Sequence, residues 1–115
     1  MGTDIEMVVE RRTASSWEFV PDVMFTDRNY DIFGLLGGRG RLARAVPEQP
    51  MLDVASATWA ALYGCLEGHN VVTLGQLQSL DLTQVRKIPL NWFSFLESLA
   101  KLGPPEEVRV VYAFL

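Results

Sequence analysis

The 115-residue sequence predicts an α+β fold, a small antiparallel sheet (an N-terminal hairpin plus a C-terminal strand) packed against three to four helices. Both ends of the chain alternate apolar and polar residues with the period of a half-buried strand. The middle carries apolar stripes at helical spacing, punctuated by caps and glycines. The C-terminal strand has no helix after it and only the hairpin to pair with, which argues against a parallel doubly wound sheet. Residues 1–115 read as a single domain, long enough for one core without metals or disulfides.

From Asp4 to Arg11, Ile5, Met7 and Val9 fall on one face and Glu6 and Glu10 on the other. Residues 13–16 supply a turn, and Trp17 to Val20 returns as a second strand that Pro21 ends. Thr26 or Asp27 caps a helix through Leu36, with Tyr30, Phe33 and Leu36 at helical spacing and Gly37-Gly38 as a left-handed stop. Gly40 to Pro50 then reads as a mobile loop. Asp53 or Ser56 opens a helix in which Trp59, Leu62, Tyr63 and Leu66 make an apolar stripe, ended by Gly68. Thr73 and Gln76 match a capping box that starts a short helix, with Val72 stapling onto Leu77 across it. Pro89 fits the first turn of a longer helix whose Trp92, Phe93, Leu96, Leu99 and Leu102 face inward, stopped by Gly103. Residues 108–115 alternate and are rich in branched and aromatic types, a strand.

Ten Lys+Arg against fourteen Asp+Glu leave a net charge of −4. A compact domain of that sign is repelled by phosphate backbones unless its arginines cluster, so a protein partner is expected and nucleic acid is not. One cysteine, Cys65, excludes an internal disulfide and suits a reducing cytoplasm. The first residues lack the apolar core of a signal peptide, and the longest apolar runs are too short to span a membrane.

No stretch spells out a reaction, and neither a catalytic residue nor a cofactor is expected. His69 has Cys65 and Glu67 as its nearest potential co-ligands, a spacing unlike known zinc sites, and reads as a helix-end or loop histidine; no metal is expected. Cys65 reads as a small packed hydrophobe. The glycines of residues 34–41 lack a phosphate-loop pattern and follow a helix where such loops follow a strand. Arg39, Arg41 and Arg44 form the one basic patch legible in the chain, able to anchor an interface. Arg28 and Tyr30 join them as candidate partner contacts, with Trp17 and Trp92 if exposed. Asp27, Arg28, Asn29 and Asp31 read as a cap plus an ion pair holding the helix start, with a ligand site as the alternative. An exposed sheet edge offers a second mode of contact, by strand addition or homodimerisation.

Several segments together resemble a family of phage and prophage proteins of uncharacterised activity. They are the start MGTDIEMVVERR, then SSWEFV, DRNYDIFGLLGGRGR, EGHNVVTLGQLQSLD and the ending EEVRVVYAFL. The match is collinear over nearly the whole chain, although each motif is short. Family members typically begin Met-Gly-Cys-Asp-Ile-His, carry Arg-Asn-Tyr-Asp-Leu-Phe, and later a Gly-His-Ser-His-Ser segment. Here Thr3 stands in place of the cysteine and Glu6 in place of the first histidine, and Asn70 and Val71 replace the second half of the Gly-His segment. The long insert after the Arg-Asn-Tyr-Asp helix is also missing. The resemblance therefore implies a phage origin and a scaffold stripped of any metal site, which fits a binder better than an enzyme. Taken with the missing catalytic set, the acidic balance and the compact size, it leads to the expectation of an accessory protein in the host cytoplasm that binds and modulates or inhibits a host protein of transcription, replication or antiviral (anti-CRISPR-like) defence. Two alternatives remain: a degenerate metal-binding scaffold, and a nucleic-acid-binding domain using the arginine loop and the C-terminal helices. For the latter, Val72 to Ile88 and the next helix faintly resemble helix-hairpin-helix modules, with Ile88-Pro89-Leu90-Asn91 where those have glycines.

Overall fold

The computed structural model describes residues 5–25, 28–38, 40–51, 53–62 and 67–114. Along the chain run β1 (Ile5–Arg12), β2 (Trp17–Val20), α1 (Tyr30–Gly37), α2 (Ser56–Ala61), β3 (Glu67–Thr73), α3 (Leu74–Gln78), α4 (Leu90–Ala100) and β4 (Val108–Phe114). The fold is α+β, as its sequence predicts. Its sheet has four strands in the order β2-β1-β4-β3, every neighbouring pair antiparallel.

β3 is the strand that sequence reasoning missed. The helix expected to run to Gly68 ends at Ala61, and residues 67–73 pair with β4 instead, Val71 opposite Val111 and Val72 opposite Val110. The branched Val71-Val72-Thr73 run fits a pleated ladder, and pairing there covers an edge of β4 that would otherwise stay open. His69 therefore lies within a strand and not at a helix end, its ring 5.8 Å from that of Trp59. Tyr63, Cys65 and Leu66 lie outside the described residues.

Lying between two strands and covered on both faces, β4 is buried along its whole length. On one face Val9, Val72, Val110, Tyr112 and Phe114 meet Ile32, Phe33 and Leu36 of α1, Leu74 and Leu77 of α3, and Trp92, Phe95 and Leu99 of α4. On the other, a smaller cluster of Val8, Val71, Val111 and Ala113 packs under Leu62, Met51 and Val54. That second layer explains Glu10, which alternation places on the outer face yet which is fully buried. Its Oε1 accepts from Arg109 Nη2 at 2.7 Å and Nε at 2.8 Å. Its Oε2 accepts from the Thr58 hydroxyl at 2.6 Å and from Ala55 N–H at 2.9 Å. Ala55 is the N-cap of α2 and has no capping side chain, so a strand carboxylate takes over that role from below.

Local signals hold where the chain itself supplies both partners. Thr73 and Gln76 form the reciprocal capping box of α3. Gly38 closes α1 at φ 72°, and its N–H reaches the carbonyls of Phe33 and Gly34. Two expectations for the helices need correction. The N-cap of α1 is Asn29, not Thr26 or Asp27 (both outside the described residues). Phe93 is 50% exposed instead of facing inward, because its position lies off the buried stripe of Trp92, Phe95 and Leu99.

Candidate functional site

The start of α1 gathers several cations. Asn29 fixes it from both sides: its Oδ1 accepts from Ile32 N–H at 3.0 Å, and its Nδ2 donates to the carbonyl of Lys87 at 2.8 Å. Within the first turn, Asp31 is buried and its Oδ2 accepts from Arg86 N–H at 3.0 Å, Arg86 Nε at 3.2 Å and Arg41 Nη2 at 3.1 Å. The backbone N–H of Arg86 and then the guanidinium of Arg41 hold its carboxyl far below the usual carboxylate range, outweighing the cost of burial. Segment 84–87 is thereby drawn onto α1, and Arg28, Asn29, Lys87 and Pro89 line a cleft of about 340 Å³.

Around this notch, the Arg86 side chain is 71% exposed and that of Arg41 42%. Arg28 and Lys87 are exposed as well. Asp31, the acid that Arg41 and Arg86 share, is buried beneath them. Apolar surface adjoins: Leu90, directly after Pro89, is 88% exposed, and Tyr30 leans edge-on against Phe33 with its outer side open. Convergent guanidinium and ammonium groups beside exposed apolar side chains suit recognition of carboxylates or other anions on a macromolecular surface.

The geometry brings Arg28, Tyr30 and Arg41 to one place and adds Arg86 and Lys87, which sequence reasoning did not assign to a contact site. Adjacent cations in a chain with few were the available signal; their proximity to Arg28 and Arg41 depends on tertiary contacts. Arg44 does not belong to the notch. It pairs with Glu48 at 2.9 Å and acts on the buried Tyr112 hydroxyl beyond the opposite end of α1. Arg39 lies outside the described residues. The loop that carries these arginines is anchored, not mobile: Ala45 and Val46 both donate to the carbonyl of Leu35, at 2.8 and 3.1 Å. Of the aromatics proposed as contacts, Trp92 is fully buried, and Trp17 covers the Arg109 guanidinium 4.1 Å from its ring centre.

No three His, Cys, Asp or Glu residues among those described come together in a way that could hold a metal ion. Thr3 lies outside them. Among the described residues, no helix is long and apolar enough to cross a membrane.

The depressed Asp31 ionisation has a testable sign. A carboxyl whose folded pKa lies below its unfolded value of roughly 3.9 stabilises the fold above that pH and loses this contribution as pH falls through the folded pKa. Asp31→Asn is therefore expected to lower the urea midpoint at pH 7, with the gap to the parent narrowing below about pH 4. A gap that stays constant between pH 7 and pH 3 would contradict the assignment.

Compared with known proteins, the chain matches no family model, no curated protein and no solved structure.

Proposed function

We propose that this chain is a small phage-encoded accessory protein that binds and modulates a host protein, meeting it through the notch at the start of α1. One observation carries the reading: in a chain of net charge −4, Arg28 and Lys87 line one cleft at the start of α1, where Arg41 and Arg86 meet on Asp31 and Leu90 and Tyr30 are exposed. A partner presenting an acidic segment with an apolar anchor matches that surface. The buried ionisable pair Glu10 and Arg109 and the buried Asp31 are saturated by structural partners, which favours a surface at work over a reactive centre. The sequence resemblance to phage proteins supports the origin. The candidate partners are host components of transcription, replication or antiviral defence.

The test uses purified protein as bait in a bacterial host lysate, alongside the Arg28→Ala/Lys87→Ala and Arg44→Ala variants. The double variant is expected to bind the captured protein at least about tenfold more weakly, a loss of about 1.4 kcal/mol, while Arg44→Ala keeps parental affinity. Equal affinity in all three would overturn the choice of surface. A gel shift with duplex or single-stranded DNA at low salt that the double variant abolishes would replace a protein partner with nucleic acid.

A further inference from the structure

β1 is longer than the strand that protects it. Its inner edge pairs with β4 from Ile5 to Arg11, whereas β2 covers only Val9 to Arg12 of its outer edge. β2 stops because Pro21 brings no N–H and Asp22 turns the chain at φ 66°. The following segment then crosses to the helical face, where Phe25 packs edge-on against Trp92 at 5.2 Å. The outer edge of Ile5–Val8 is thus left without a strand partner among the described residues. In a strand of this geometry, alternate residues direct N–H and C=O outward.

A cleft of about 160 Å³ runs along this edge, in line with β2 and at the place its continuation would have occupied. Val20 and Val23 wall it on the helical side, and Phe19 and Ala61 on the other. Glu6 and Asp22, both exposed, stand at its rim. We propose that the outer edge of Ile5–Val8 is a strand-addition site for an extended partner peptide that alternates apolar and basic residues. About four residues, or roughly 13 Å, complete the ladder. Backbone pairing holds the peptide, the apolar walls take its alternate side chains, and Glu6 and Asp22 select lysine or arginine between them. A second copy of this chain is disfavoured as occupant, because each copy would bring its own Glu6 and a net charge of −4 to the joint. This site is separate from the notch and does not depend on it.

The experiment follows backbone amide exchange by NMR in the full chain, with a capped hexapeptide of alternating valine and lysine as probe at millimolar concentration. The outward amides within Ile5–Val8 are expected to exchange at least about tenfold more slowly with the peptide bound. An analogue N-methylated along its pairing edge, and a valine–glutamate analogue, are expected to leave those amides unchanged. Glu6→Lys, a change at an exposed position, is expected to weaken the lysine peptide. Unchanged exchange with the lysine peptide, or equal protection by either analogue, overturns the proposal. So does a dimer in analytical ultracentrifugation that already protects Ile5–Val8.

Discussion

Arg109→Ala is expected to destabilise the protein by about 3–5 kcal/mol, because it leaves the Glu10 carboxylate buried without its counter-charge. Glu10 is inaccessible to solvent, and Arg109 is 7% exposed beneath the Trp17 ring. Thr58 and Ala55 would still donate to Oε2, but Oε1 would lose both guanidinium bonds. The effect should spread to α2, whose first turn rests on this carboxylate. Replacing both partners with apolar residues of similar volume, Glu10→Leu with Arg109→Met, is expected to recover most of the loss. The penalty comes from an orphaned charge and not from a strong net attraction. Urea denaturation of Arg109→Ala and of the double variant checks this. A single variant within about 1 kcal/mol of the parent would mean that water reaches the site and that the second layer over the sheet is loose.

The same residue shows where sequence reasoning stops. Alternation put Glu10 opposite Val9 on the strand, which is correct, but its burial depends on a layer contributed by Met51, Val54, Ala55, Thr58 and Leu62. Elements whose evidence is local were legible: β2 ends at Pro21, the box of Thr73 and Gln76 starts α3, and Gly38 stops α1. β3 was not, because an apolar stripe in residues 59–66 reads equally well as helix until β4 supplies a ladder for Val71 and Val72. The site divides the same way. Arg28, Tyr30 and Arg41 were named from the sequence, whereas Arg86 and Lys87 reach α1 through contacts 55 and 58 positions apart in the chain. Arg44 sits only three positions beyond Arg41, yet the two part company because residues 40–46 run alongside α1 and leave one arginine near each end.

That course along α1 rests on Gly34, and Gly34→Ala is expected to destabilise the protein by about 1–3 kcal/mol. Inside an unencumbered helix the same change would be stabilising by up to about 1 kcal/mol, since alanine is the better helix former. Here a Cβ would overlap the carbonyl oxygen of Leu42, with its amide nitrogen 3.0 Å and carbonyl carbon 3.2 Å away. These are backbone atoms of a segment held by Ala45 and Val46, so neither chain can yield without loosening the bonds to Leu35. Gly75 in α3 provides the contrast: its added Cβ would meet Pro105 Cβ at 3.4 Å, an ordinary contact. Gly75→Ala should therefore be neutral or stabilising by a few tenths of a kcal/mol. Opposite signs for the two substitutions in urea melts would establish that residues 40–46 are packed against the helix. If Gly34→Ala proves stabilising, the segment moves freely, and Arg41 is not held over Asp31 at the rim of the notch.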